Sequence, residues 1–195
     1  MWYYFMSVHA IQSIVQCWFY PYSMLSRIYV TVNAFRSLFP VKIVERECLT
    51  AVSSPLIDRS LATLSELCFA KQLAAQVDDS TIVYYASVAQ ACCWLGIMTQ
   101  NNIFHVYEEF LWLLIGYTFY WHSKHRMVQL ISLGYCGYMM FADIPMYMGR
   151  LIEQESIPTM YPLYDCQFIS DLSMDEKVWR TGYFVGASRL SMFMN

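Results

Sequence analysis

In the stretch 101–121, "NNIFHVYEEFLWLLIGYTFYW", Asn101, His105, Glu108 and Trp112 recur at steps of four, three and four residues, and Gly116 continues the row. That spacing puts them on one face of a helix, with Glu109 one position round and within reach of His105 at i+4. Imidazole and carboxylate at i, i+3 or i+4 can share a metal ion, relay a proton, or simply hydrogen-bond inside an apolar segment. Di-iron bundles draw Glu-x-x-His pairs from two helices; this chain offers a single pair, in reverse order.

Three other segments carry comparable rows. Arg59, Thr63 and Glu66 form one, Ser87, Gln90 and Trp94 another, and Gln129, Ser132, Cys136, Met140 and Asp143 a third. At 1.5 Å rise per residue, Glu66 lies roughly 10 Å, Glu108 and Glu109 roughly 6–8 Å, and Asp143 roughly 5 Å from one end of their segments. Segments that alternate in direction bring those ends to one level. The expectation is therefore a single intramembrane polar cluster of Arg59, Glu66, His105, Glu108, Glu109, Asp143 and Arg150. A structural network explains it best: arginines neutralise one or two acids, and the rest are hydrogen-bonded or protonated. The alternatives are a metal site of His105, Glu108 and Glu109 completed by Glu66 and Asp143, or a proton or ion path through the same carboxylates. Haem ligation by His9 and His105 is disfavoured, because the two would sit at different depths. His122 and His125 in "HSKHR" fit a solvated turn, and the adjacent Cys92 and Cys93 fit small packing residues.

The elements that must position these groups are oily. Hydrophobic residues make up 57% of the 195 and charged ones only 14%, against roughly 45–50% and 25% in soluble domains. Too few charges remain to cover a water-exposed surface. Mean hydropathy is only modest because 16 Tyr and 6 Trp depress it, although both favour the membrane–water boundary. The fold class expected is all-α: a polytopic transmembrane helix bundle with about five spans, at 2–20, 60–77, 81–99, 104–121 and 127–146. The N-terminal segment lacks a basic start and a cleavage site, so it is expected to be a retained span. Residues 23–39 place Leu25, Ile28, Val32, Phe35 and Phe39 opposite Ser26, Arg27, Asn33 and Ser37, which predicts an interfacial helix. Pro145 is expected to end the last span near Asp143, and turns are expected at Pro158 and Pro162. Residues 1–148 would then be the bundle, and 149–195 an irregular aqueous tail whose end, from Trp179, could form an interfacial or docking helix.

Basic residues orient the spans. The 27–59 connection and the tail hold nine Lys and Arg, against two in the turns on the other side. This predicts the N-terminus out and the C-terminus on the cytosol, matrix or stroma side. The seven cysteines are odd in number, without CxxC, and mostly within apolar runs, so free buried thiols are expected. A net charge of −3 with scattered bases excludes a nucleic-acid binder. No nucleophile elbow, HExxH, P-loop or Rossmann fingerprint occurs, so no catalytic residue, metal or cofactor is predicted, and an enzyme is the less favoured class. Bound lipid is expected. The function expected is a non-catalytic membrane subunit among other membrane protein subunits in the lipid bilayer, in an organelle inner membrane such as that of a mitochondrial respiratory assembly. The alternatives are a small proton, ion or solute transporter and a metal-dependent membrane enzyme.

Overall fold

A computed structural model describes residues 1–152 and 162–194 of the protein. Prolines and polar caps set its helix boundaries. Helix α1 (Trp2–Phe19) stops just short of Pro21, which cannot continue the ladder. Helix α2 (Met24–Leu38) starts where Ser23 accepts a hydrogen bond from the Ser26 N–H at 3.2 Å, and it ends before Pro40. Helix α3 (Pro55–Val77) opens on a proline, whose missing N–H has no partner to lose at that position. Helices α4 (Thr81–Thr99) and α5 (Asn102–His122) are joined by Gln100, left-handed at φ 55°, and by Asn101, whose side chain accepts from the Ile103 N–H at 3.0 Å.

Helix α6 (Arg126–Tyr138) runs through a π-helical turn, Met139–Asp143, into α7 (Ile144–Ile152). Pro145 therefore does not end the helix as expected. The Ile144 N–H donates to the Met139 carbonyl, and the wider turn just before Pro145 relieves a register the proline ring would otherwise disrupt. The extra residue also rotates the buried face, so that Met139 is buried and Met140, placed inward by the sequence, is exposed. The chain closes with α8 (Met174–Arg180), a second π-helical turn at Thr181–Gly186, and α9 (Ala187–Phe193).

Seven continuous helices account for 77% of the described residues, so the fold is mostly helical with little sheet. The sheet is three two-residue strands: β1 (Val41–Lys42), β2 (Glu47–Cys48) and β3 (Gln167–Phe168). β1 pairs antiparallel with β2, and β2 pairs parallel with β3. The helices fall where the spans were drawn, but among the described residues only Thr81–Thr99 and Arg126–Ile152 are long and apolar enough to cross a membrane. The others fall short because α3 carries Asp58, Arg59, Glu66 and Lys71, α5 carries His105, Glu108 and Glu109, and α1 mixes Ser, Gln and His among its aromatics.

By contacts, the chain divides into two compact units. One is Met1–Gln72 with Thr159–Asn195; the other is Leu73–Pro158. The sequence division at 148/149 separates expected bilayer from expected water, whereas packing returns the C-terminal segment to the first unit. There α9 packs on α2, and Met192 joins Cys17 and Val30 in a buried cluster. Ser191 donates to the Gln72 side-chain oxygen at 2.8 Å, and the Gln72 amide donates in turn to Ser26. The tail is thus helical and strand-forming where it is described; the turn expected at Pro158 lies outside the described residues. Cys48 and Cys166 form a disulfide across 118 residues of chain, which corrects the expectation that every thiol is free. Sequence spacing carried no hint of it, because the partner lies in a distant segment that returns to β2. In the second unit α4 packs along α5, and α5 meets α6 and α7. A Cβ at Gly116 would come within 2.7 Å of the Tyr135 ring, so a glycine there lets α5 and α6 approach closely.

The faces of α2 are not disposed as expected for an interfacial helix: most of the polar face is buried, with Arg27 half-buried, while of the apolar face only Val32 is buried. Ser26, Asn33, Arg36 and Ser37 are 0–4% exposed, while Leu25, Ile28 and Phe35 on the apolar side are only half-buried. Arg36 and Ser26 turn inward because the first unit offers them partners, Asp58 for the guanidinium and Gln72 and the Ser191 carbonyl for the hydroxyl.

Candidate functional site

Each unit gathers a buried polar group. In the first, α2, α3 and the C-terminal helix converge on four charges. Arg36 Nε lies 3.2 Å from both oxygens of Asp58, and its Nη1 is 3.9 Å from Glu66 Oε1. Arg59 Nη2 donates to Glu66 Oε2 at 3.1 Å, and the Tyr183 hydroxyl donates to Glu66 Oε1 at 3.1 Å. Arg36 also stacks over the Phe184 ring, 5.2 Å from its centroid. Burial works against the Arg36 charge, but Asp58, Tyr183 and Glu66 outweigh it and hold the guanidinium above its ordinary pKa. Burial, reinforced by Glu66, pushes the Tyr183 phenol up, so it stays a neutral donor. Two arginines facing two carboxylates are electroneutral, which is the condition under which charges are tolerated away from water.

The second group lies on α4, α5 and α7. His105 Nδ1 is 3.1 Å from Glu108 Oε2, both side chains being at most 7% exposed. Cys93, His105 and Glu108 each bring one potential ligand atom, and these lie within 4.8 Å of one another. The Tyr147 ring stacks on the His105 ring at 5.2 Å, and Arg150 sits 5.6 Å over Tyr147. Cys93 arrives on the buried face of α4 with Ala89, Gln90, Gly96 and Ile97. Gly96 is the seat for His105: a Cβ there would lie 2.7 Å from Nε2 and 2.9 Å from Cδ2. His105 Nε2 is itself buried with no hydrogen-bond partner among the described residues.

No family model, curated protein or solved structure matches this chain. Function has to come from the chemistry of these sites.

Of the seven residues pooled from sequence, the structure pairs Arg59 with Glu66 in the first unit, and His105 with Glu108 in the second. Asp143 accepts a hydrogen bond from the Tyr138 hydroxyl at 2.9 Å. Glu109 is half-buried beside Glu108, and Arg150 joins the second group through Tyr147. Five participants were missed. Arg36 enters the sequence reading only as one of the basic residues of the 27–59 connection and Asp58 not at all, although Asn33, Arg36 and Ser37 share a face at helical spacing. Tyr183 gave no signal, because its partner is 117 residues away. Cys93 was set aside as packing, yet Gln90, Cys93 and Gly96 stand three residues apart on one face. Tyr147 lies beyond Pro145, and the continuation of the helix past that proline brings it onto His105.

Proposed function

We propose that this chain is a non-catalytic integral membrane subunit that packs into, and stabilises, a larger membrane protein assembly. One observation carries this: polarity runs outward-apolar and inward-polar. Tyr4, Phe19, Trp121 and Phe141 are 63–84% exposed, while Ser26, Asn33, Arg36, Asp58, Arg59 and Glu66 are at most 7% exposed. Leaving a large apolar side chain in water forgoes about 1.5–3 kcal/mol relative to burying it, so such a surface calls for lipid or protein around it. Five crossings fit this polarity, since Asp58, Arg59, Glu66, His105 and Glu108, which weaken α3 and α5 as spans, turn toward partners within their own units, and the exposed Lys71 near the end of α3 can reach an interface along its stem. An energy-converting organelle complex is the setting we favour for the assembly, with bound lipid on the apolar faces.

The orientation we propose follows the disulfide. Structural disulfides persist in oxidising compartments and are rare where glutathione and thioredoxin act, so the Cys48–Cys166 face belongs on an oxidising side. That reverses the orientation drawn from basic residues. Arg36, Arg59 and Arg180 are engaged with Asp58, Glu66 and Glu176, which gives those arginines a reason to be present other than retention on the positive side.

Native purification in mild detergent tests the function. Fixed-stoichiometry copurification with other membrane subunits is expected; a monodisperse monomer from the native membrane would overturn it. A glycosylation acceptor placed within 49–53 is expected to be modified in microsomes. Modification of an N-terminal acceptor with none at 49–53 would restore the opposite orientation.

A further inference from the structure

We propose that Cys93, His105 and Glu108 form a binding site for one divalent transition-metal ion of the zinc type. The three donors are of different chemistry, yet all are drawn from one helix pair. Their ligand atoms already lie within 4.8 Å of one another, and His105 Nδ1 and Glu108 Oε2 stand 3.1 Å apart. Two ligands bound at about 2.0–2.1 Å in a tetrahedral shell are separated by roughly 3.3 Å, so that pair is already at ligand spacing and Cys93 has only a short way to close.

A second observation points to a ligand independently. His105 Nε2 is buried and has no hydrogen-bond partner among the described residues, in a side chain that is 3% exposed. Buried imidazole nitrogens ordinarily find a partner. An ion held through Nε2, with Glu108 orienting the ring from Nδ1, follows the carboxylate–histidine–metal arrangement; an ion held through Nδ1 takes Glu108 as co-ligand. Both use the same three residues. Gly96 is what admits the ring at all, because any Cβ there would collide with it. Tyr147 closes the other side by stacking on it.

The donor set selects the ion. Calcium and magnesium take oxygen ligands and gain nothing from a thiolate, whereas sulfur, imidazole and carboxylate together suit zinc. An ion held through Nδ1 has three protein ligands and one further tetrahedral position; one held through Nε2 has Cys93 and His105 and two further positions. Binding requires Cys93 as thiolate, so its proton leaves as the metal enters. The site lies wholly within the second unit and does not depend on the chain having partner subunits; its failure would leave the subunit proposal standing, and the converse holds too.

The full chain, purified in mild detergent, is the material for the test. Elemental analysis is expected to give about one zinc per chain. Chelator-stripped protein titrated with cobalt(II) alone is expected to develop a thiolate-to-metal charge-transfer band. Cys93→Ser should abolish the band, and His105→Gln should weaken cobalt binding by at least about tenfold. Cys92→Ser, one position round the helix, should leave both intact. Wild-type protein that is helical and monodisperse but takes up neither zinc nor cobalt overturns the proposal, as does a band lost in Cys92→Ser and kept in Cys93→Ser. Should Cys93→Ser fail to fold, the wild-type metal content and His105→Gln decide it alone.

Discussion

The two units solve the same problem, polar groups away from water, in different ways. The first is assembled from both ends of the chain, Met1–Gln72 and Thr159–Asn195, and is closed by a disulfide and by arginines set against carboxylates. The second is contiguous, built of successive helices with polar caps at their turns, and its buried group is thiol, imidazole, carboxylate and phenol. A charge-balanced set neutralises its own members and serves packing, even where a nitrogen such as Arg36 Nη1 meets its carboxylate only at 3.9 Å and makes no hydrogen bond among the described residues. A set containing an imidazole nitrogen without a protein partner is not satisfied in the same way, and the residues around it hold the ring in place rather than answer that nitrogen. The first group therefore reads as structure, and the second as a site.

Asp58→Ala breaks this contrast most sharply. It strands the Arg36 guanidinium in a pocket where both residues are at most 5% exposed. Removing one partner of a buried pair costs about 3–5 kcal/mol, so a large fall in the melting temperature in detergent is expected. Glu108→Gln keeps a hydrogen-bonding group beside His105 Nδ1 and should cost no more than about 1.5 kcal/mol, while weakening cobalt binding. Equal losses from the two substitutions would erase the distinction. Next in size is the disulfide. Replacing both Cys48 and Cys166 by Ser opens a closure of 118 residues and is expected to cost about 2–5 kcal/mol. Hydrogen exchange should accelerate in α2, the strands and α9, with 81–122 little changed. Uniform acceleration would show that the two units unfold as one.

Within the second unit, two glycines separate site from scaffold. Gly96→Ala must displace the His105 ring from a 2.7 Å approach. Overpacking of that kind costs about 1–3 kcal/mol, and cobalt binding should fall with it. Gly134→Ala meets nothing within 4 Å and should leave binding intact, stabilising the helix by up to about 1 kcal/mol. Loss of cobalt binding in Gly134→Ala would mean that the metal responds to helix stability and not to the His105 seat.

How much of this was legible follows from range. Helix positions were readable because periodicity, Pro21, Pro40 and the Asp78–Asp79 turn are local signals, and so were the pairs Arg59–Glu66 and His105–Glu108, each within two turns of one helix. The inward turn of α2 was not, since a helix with one polar and one apolar side has no local mark of which faces lipid. Nor were Cys48–Cys166 and Tyr183–Glu66, whose partners are more than a hundred residues apart. Pro145 misled for another reason: a single π-helical turn lets a helix pass a proline, and nothing in "MMFADIP" announces it. Cys93 was visible at helical spacing from Gln90, but a cysteine in an apolar run is so ordinary that only its neighbours give it meaning.

The smallest effect concerns the polar turn that starts the second unit's first complete helix. Asp79 accepts from the Thr81 hydroxyl at 2.7 Å and from the Thr81 N–H at 2.9 Å, meeting a donor that the start of α4 leaves open. These two hydrogen bonds, the hydroxyl's first, hold its pKa below the ordinary carboxylate value. A depressed folded pKa means stability that is fully present above the unfolded value, about 3.9, and is lost as the pH falls through the folded one. Asp79→Ala is expected to cost about 0.5–2 kcal/mol at pH 7, like other lost caps. Asp79→Asn, an equally good cap without a charge, should flatten the pH dependence while keeping most of the stability. His122 stands 3.8 Å away but is 55% exposed, so screening leaves it little share, and His122→Gln should not alter the slope. The readout is exchange of the Val83 and Tyr84 amides, which bond back to Ser80, between pH 3 and pH 6. In the first unit, Asp171 is likewise held below its ordinary pKa by Lys177, but its side chain is 69% exposed. Asp171→Asn should therefore leave the acid transition where it was. A transition that followed Asp171 rather than Asp79 would show that the second unit does not depend on its local caps.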